Sequence, residues 1–238
     1  MKQSLALKKL PKWVTLPLME SIPFYKNVIQ KDPDEVEFLL MHSAITEFAP
    51  GTVIIRKGER DSSIYSVLLG QLLAFFDHNT RNPVGYISRG EMFGEMAMVY
   101  DLERQATVVA DSNSKKILLL ETDFSSFGTL DDFSEISLRT KLLFLRSSVD
   151  LTRKRLVAFR VNFPDYNIAK RSISTKKFDG KKGTIEELEH LYESAKMLGQ
   201  ALNDWNTEVG NLYLDQNYSV PDTVETLTTL FDKHKRSA

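Results

Sequence analysis

The chain of 238 residues contains no cysteine. That single absence removes a disulfide scaffold, an iron–sulfur cluster, a thiolate zinc site and a cysteine nucleophile. No apolar run approaches the roughly 18 residues that a membrane-spanning helix needs. Met1–Leu10 places lysines on both sides of only three apolar residues, which is not the pattern of a secretory signal. The expected setting is therefore cytoplasmic, with no membrane contact. Neither charge dominates, since 31 Lys and Arg face 32 Asp and Glu, a net charge of −1. A protein that lives on bulk nucleic acid shows a basic excess instead. His42, His78, His190 and His234 are scattered without metal-ligand spacing, so no metal site is expected. No Ser/His/Asp set, phosphate-binding P-loop or paired-carboxylate site with a cofactor motif is legible, so no catalytic residue is assigned and a non-enzymatic role is expected.

What is present is ordinary for a globular protein, with 42% hydrophobic and 26% charged residues. The length allows one or two domains. Six of the eleven glycines, Gly51, Gly58, Gly70, Gly85, Gly90 and Gly94, crowd into one stretch. The apolar runs in and just after that stretch are short and β-branched: Thr52–Lys57, Ile64–Leu69, Leu72–Asp77, Val84–Ser88, Ala106–Ala110 and Ile117–Glu121. Strands of five or six residues between Gly, Asn, Asp and Ser turns predict an antiparallel sandwich or barrel. Upstream, Val36, Leu39, Leu40 and Ile45 have helical spacing, which predicts a helix over Asp34–Thr46.

The character changes near residue 133. From there to Phe163 there is neither Gly nor Pro, and Leu138, Leu142, Leu145, Val149, Thr152, Leu156, Phe159 and Phe163 alternate at spacings of 4 and 3. That is a heptad seam with one polar member. It predicts a parallel homodimer through this helix, which Pro164 ends. Tyr166–Gly183 carries six Lys or Arg against one Asp, a net +5, and reads as a basic linker. Thr184 and Glu187 form a capping box. A second long helix follows, with a stripe of Leu188, Leu191, Ala195, Leu198, Leu202, Trp205, Val209 and Leu212. Trp205 on that stripe reads as core. A last short helix is expected from Pro221.

Phe93-Gly94-Glu95-Met96-Ala97 is followed, nine residues after Glu95, by Arg104-Gln105-Ala106. Gly94 lets a ligand approach the backbone and permits unusual dihedrals. Met96–Tyr100 can form a short helix whose first amides point at an anion. Arg104 offers a fork of donors to a phosphate, and Glu95 accepts from a sugar hydroxyl. Together these point to a small sugar phosphate.

These motifs resemble the phosphate-binding cassette of cyclic nucleotide-binding domains. The resemblance extends through Phe48-Ala49-Pro50-Gly51, Lys57-Gly58-Glu59, Ile64-Tyr65, Leu69-Gly70 and Gly90, and through the closing strands Ala110–Phe124. It covers roughly residues 20 to 160 and is of the catabolite-activator type. It implies an α+β fold: an antiparallel β-roll or jelly roll at 1–133, a long dimerisation helix at 134–163, a basic linker at 164–183 and a helical C-terminal region at 184–238. It implies that Glu95 takes the ribose 2′-hydroxyl and Arg104 the cyclic phosphate, with the amides of Gly94, Met96 and Ala97 around them. Gln105 departs from the small residue the family carries there. The base is expected on the long helix at Ser147 or Ser148, with Ser148 beside the seam.

The resulting expectation is a cyclic-nucleotide sensor for cAMP or cGMP. Binding would reposition the long helix and the C-terminal helices, whose contacts are with a protein effector. Two alternatives stay open at this point: a DNA-binding regulator with a divergent C-terminal domain, and a dimerisation scaffold that has lost its ligand. From Thr184 onward there are ten acids against four bases, which argues against reading DNA.

Overall fold

A computed structural model describes residues 2–76, 83–100, 103–164 and 175–214. The helix expected from Pro221 lies outside the described residues. Among the described residues nine strands form two antiparallel sheets. They are β1 (Lys2–Ala6), β2 (Ser43–Phe48), β3 (Val53–Ile55), β4 (Ser63–Leu69), β5 (Leu72–Phe75), β6 (Gly85–Ile87), β7 (Met92–Phe93), β8 (Thr107–Ala110) and β9 (Ile117–Asp123). One sheet runs β1-β2-β9-β4-β7 and the other β3-β8-β5-β6. The helices are α1 (Lys12–Glu20), α2 (Pro23–Lys31), α3 (Val36–Met41), α4 (Glu95–Tyr100), α5 (Leu138–Asn162) and α6 (Ile185–Leu214). The architecture is α+β.

Strand alternation builds two cores from the same strand. Side chains on a strand point to opposite faces in turn. In β4, Tyr65 and Val67 join Phe48, Leu72, Phe93 and Leu119 between the sheets. Ile64 and Leu68 of the same strand join Phe24, Val28, Phe124 and Phe144 in a second core under the helices. The β4–β5 turn is fixed at Gly70, whose φ is +89° and where a Cβ would lie 2.7 Å from the Lys116 carbonyl oxygen.

The helix expected over Asp34–Thr46 is shorter. Val36–Met41 is helical, but Ile45 belongs to β2, opposite Leu120 of β9 and Leu5 of β1. The sheet ladder overrides the local spacing, because Ser43 and Thr46 also bond the hydroxyl of Thr122 and the carboxylate of Glu121.

Helix α5 starts behind Ser137, whose hydroxyl accepts from the Thr140 amide. Its heptad stripe is buried: Leu142, Leu145, Val149, Thr152, Leu156, Phe159 and Phe163 are each at most 9% exposed, and Leu138 is half-buried. The stripe is expected to pair two chains; within this single chain it is already covered. Its cover is the chain's own α6 together with the barrel. Arg146 pairs with Glu187 at one end, and Phe159 stacks on Trp205 at 5.7 Å further along. Both contacts advance in the same direction, so the two helices are parallel. Their heptads are in register, 142 against 188 and 159 against 205. The polar spacing at Thr152 is absorbed by an intrahelical bond to the Ser148 carbonyl.

The capping box holds α6 to α5. The Glu187 amide donates to Thr184 Oγ1, and Glu187 Oε2 accepts from the Gly183 amide at 2.6 Å. Arg146 Nη2 lies 2.7 Å from each Glu187 oxygen. Burial pushes the Glu187 carboxyl up, but the Arg146 bonds, the Gly183 amide and the charges of Arg146 and Lys182 outweigh it, and the net shift is downward. Folding therefore favours the ionised form. The contribution is present above the ordinary carboxylate range and is lost as pH falls through the depressed folded value. Glu187→Gln is expected to cost about 1 kcal/mol at neutral pH. Thermal melts from about pH 6 to pH 3 are expected to show the wild type losing its advantage over that variant as the acid end is approached. A constant gap between the two would remove the ion pair from the account.

Candidate functional site

The site is built where β7 turns into α4. Gly94 has φ +87°, a left-handed conformation that side chains rarely adopt. A Cβ there would lie 2.6 Å from Arg104 Nη1 and 3.2 Å from the Ser63 carbonyl oxygen. The glycine is thus needed for both its dihedral and its lack of volume.

Arg104 is only 3% exposed. Its backbone is clamped to the β3–β4 loop: its amide donates to Glu59 O at 2.8 Å, and its carbonyl accepts from Gly58 N at 2.9 Å. Its Nη1 donates to Gly94 O at 2.6 Å, and its Nη2 donates to Ser63 O at 2.6 Å and to Asp61 Oδ2 at 3.1 Å. These use three of the five N–H groups of the guanidinium. Burial pushes the Asp61 carboxyl up, but the Ser63 amide and hydroxyl and then Arg104 pull it down, and the net shift is downward. Beside this group, Tyr65 stacks on Phe93 at 5.3 Å, and burial and the nearby Glu121 and Asp61 charges push its phenol up.

Glu95 opens α4 and has no exposed surface. Its Oε1 receives Arg155 Nη1 of α5 at 2.8 Å, while its Oε2 is buried without a hydrogen-bond partner. Arg155 Nη2 also donates to the Met92 carbonyl at 3.0 Å. Leaving a buried acceptor unmet costs about 1–3 kcal/mol, so Glu95 Oε2 is the orphan of this site. Glu95 and Arg104 do not pair with one another. Each has its own counterion, Arg155 and Asp61, and both flank Gly94.

The structure brings Gly94, Glu95 and Arg104 together, with Met96 and Ala97 buried behind them on α4. Gln105 does not join them, because its amide turns back to the Glu103 carbonyl at 2.8 Å. Ser147 spends its hydroxyl on the Leu143 carbonyl. Ser148 is fully buried and its hydroxyl has no partner. It lies seven residues, two helical turns, before Arg155, on the same side of α5. Trp205 is buried against Phe159 and Phe163 as core. Sequence reasoning missed Asp61, Ser63 and Arg155. The signal for Arg155 was its position two turns after Ser148. Helix α6 also touches α4, so the C-terminal helix stands against the site. Among the described residues no group of three or more His, Asp or Glu side chains is placed to hold a metal, and no helix is long and apolar enough to cross a membrane.

Comparison with known proteins bears on this site. Residues 45–128 match the family model described as "Cyclic nucleotide-binding domain", a span that holds Gly94, Glu95 and Arg104. A "cAMP-dependent protein kinase regulatory subunit" of Hypocrea atroviridis is 28% identical over 132 residues, 56% of this chain and 27% of that protein. A "Cyclic AMP receptor protein" of Thermus thermophilus is 27% identical over 94 residues, 39% of this chain and 44% of that protein. The chain thus spans about a quarter of the kinase regulatory subunit and under half of the receptor protein. Among solved structures, a "Putative Cyclic nucleotide-binding protein" from Geobacter metallireducens is similar over 62% of this chain and 98% of its own, at 15% identity and a TM-score of 0.48.

Two glycines separate the backbone from the steric contribution. Gly58 and Gly94 have nearly the same φ, +88° and +87°, but a Cβ at Gly58 meets nothing within 4 Å. Gly58→Ala is expected to cost only the left-handed backbone energy, about 1 kcal/mol. Gly94→Ala is expected to cost at least about 2 kcal/mol more, because Arg104 must leave its three acceptors. Chemical denaturation of both variants measures the difference, and equal losses would show that Arg104 gives way freely.

Proposed function

We propose that this chain, which carries a cyclic nucleotide-binding domain at residues 45–128, is a sensor of cAMP or cGMP that signals through its C-terminal helices. The observation that carries the reading is Glu95. One of its oxygens is held by α5 through Arg155, and the other is a buried acceptor with no partner. A ribose hydroxyl donating to Oε2 would satisfy that orphan. Arg104, anchored by Asp61 and two carbonyls, would turn its remaining N–H groups to the cyclic phosphate. The amides of Gly94, Met96 and Ala97 lie at the same turn. Ser148, buried with an unmet hydroxyl, is the base-facing candidate on α5. Ser147 and Gln105 are left out of this proposal because their polar groups are already spent.

The transmission follows from the same carboxylate. Arg155 ties α5 to the ligand-facing group, and α6 is packed on both α5 and α4. A ligand that redistributes charge on Glu95 therefore bears on how α5 and α6 sit. The names of the matched relatives, a kinase regulatory subunit and a cyclic AMP receptor, support a regulatory rather than a catalytic role. A protein effector fits better than DNA, since α6 has one lysine, Lys196, and no arginine from Ile185 to Leu214.

Calorimetric titration with cAMP, cGMP and cyclic dinucleotides tests the reading. One cyclic mononucleotide is expected to bind the wild type. Removing a buried cation opposite a phosphate costs about 3–5 kcal/mol, so Arg104→Ala is expected to weaken binding at least a hundredfold. It is also expected to lower stability, because it strands the Gly94 and Ser63 carbonyls. Arg104→Lys keeps the charge but cannot span three acceptors and a phosphate, and is expected to fall between. No binding by the folded wild type, or an unchanged affinity in Arg104→Ala, would refute the assignment.

A further inference from the structure

An edge strand presents a row of backbone N–H and C=O groups that no neighbouring strand pairs. Among the described residues the two sheets have four edges, β1, β7, β3 and β6. Three are blunted by their length, since β7 has two residues and β3 and β6 have three each. β1 has five, in unbroken register with β2 from Lys2 opposite Phe48 to Ala6 opposite Ala44. Gln3, Ser4 and Leu5 are exposed. Among the described residues no strand lies on their outer side, and no backbone hydrogen bond reaches them from outside the sheet.

The surroundings of β1 choose among occupants. The first 31 residues carry six lysines and no arginine against one acid, Glu20, a net +5 in a chain of net charge −1. Lys8 and Lys9 follow the end of β1, and both are exposed. The acids of this corner are already matched. Glu47, opposite Gln3, pairs with Lys116 at 2.9 Å, and Glu37 of α3 pairs with Lys12 at 2.8 Å. The corner is also apolar. Leu5 is 45% exposed and lies opposite Ile45, which packs on the helix-side core. Met41, three residues before the Ala44 that pairs with Ala6, is 52% exposed, and Trp13, next to Lys12, is 79% exposed.

A second β1, antiparallel and centred on Ser4, would set Lys2 opposite Ala6 and hence near the lysines that follow it, and like charges in register select against such a pair. An anionic bilayer would attract the lysines but brings no backbone groups to complete the ladder. An extended acidic segment supplies backbone pairing, opposite charge and an apolar side chain over Leu5. We propose that the open edge of β1 takes an extended acidic segment of a partner protein as a sixth strand of its sheet, with its acids beside Lys8 and Lys9 and an apolar residue on the Leu5 face. This surface is the opposite edge of the sheet from β7, which leads into Gly94 and Glu95, so it is separate from the nucleotide site.

The test uses the full chain and labelled peptides of alternating Thr and Val, flanked at each end by two Glu or by two Lys. Fluorescence anisotropy is expected to show the Glu peptide binding about tenfold tighter than the Lys peptide, since exposed charge pairs add a few-fold each. Lys8→Glu with Lys9→Glu should reverse that order. Amide hydrogen exchange at Gln3–Ala6 should slow when the Glu peptide is bound. Backbone pairing is read separately. An edge bonds only every second residue of an added strand, so two Glu peptides are N-methylated on alternate residues, one in each phase. One is expected to bind at least about tenfold more weakly, each lost hydrogen bond being worth up to about tenfold, and the other to match the parent peptide. Equal affinity of the two methylated peptides, an order of Glu over Lys that survives the double variant, or no binding of the Glu peptide overturns the proposal. So does sedimentation of the chain with phosphatidylserine vesicles but no response to the peptide, because the lysines would then serve a lipid surface.

Discussion

Helix α5 cannot be left uncovered on its apolar side. A stripe from Leu142 to Phe163 buried to within a few per cent requires a second surface along the helix. At roughly 2 kcal/mol for each large apolar side chain removed from water, no loop or polar face can substitute. The chain meets this demand by returning through a long basic linker and laying α6 parallel to α5. Once that choice is made, much else follows. The capping box of α6 is brought to Arg146, Trp205 is brought to Phe159, and α6 is brought to the short helix that begins with Glu95. The barrel is tied into the same arrangement through its helix-side core, where Phe124 and Phe144 pack 5.3 Å apart at the start of α5.

Charge in the cassette is handled by the same economy of place. A buried carboxylate and a buried guanidinium could have neutralised one another. Instead each is paired outward, Arg104 to Asp61 of the β3–β4 loop and Glu95 to Arg155 of α5. Direct pairing would have given a self-contained buried ion pair, whose attraction is offset by the cost of desolvating both charges. Separate counterions keep the two groups on either side of Gly94 and leave each with unused capacity. They also link two distant segments, residues 61–63 and residue 155, to one turn of backbone.

The barrel was legible because its signals are local. Glycine turns and short β-branched runs marked six of the nine strands to within a residue or two at each end. Of the three strands those signals left out, β1, β2 and β7, β2 was read as helix because Ile45 continues the spacing of Val36, Leu39 and Leu40, while the ladder that claims it comes from β1 and β9, far away in sequence. The cassette was legible for Gly94, Glu95 and Arg104, since their chemistry lies in one short stretch. Arg155 was not, because an arginine flanking a heptad stripe ordinarily reads as solvated. The partner of Glu95 is defined by how α5 rests on the barrel, which no local pattern encodes.

The α5 stripe shows a different kind of limit. A heptad seam states that a parallel or antiparallel helix will cover it, but the apolar positions alone do not say whether that helix is in the same chain. The flanks add a point of attachment: Glu187, beside Leu188 of α6, pairs with Arg146, one turn after Leu142 of α5. The charged residues beside the seam thus mark where α6 is held, while the apolar residues that predicted a homodimer give the contact its strength.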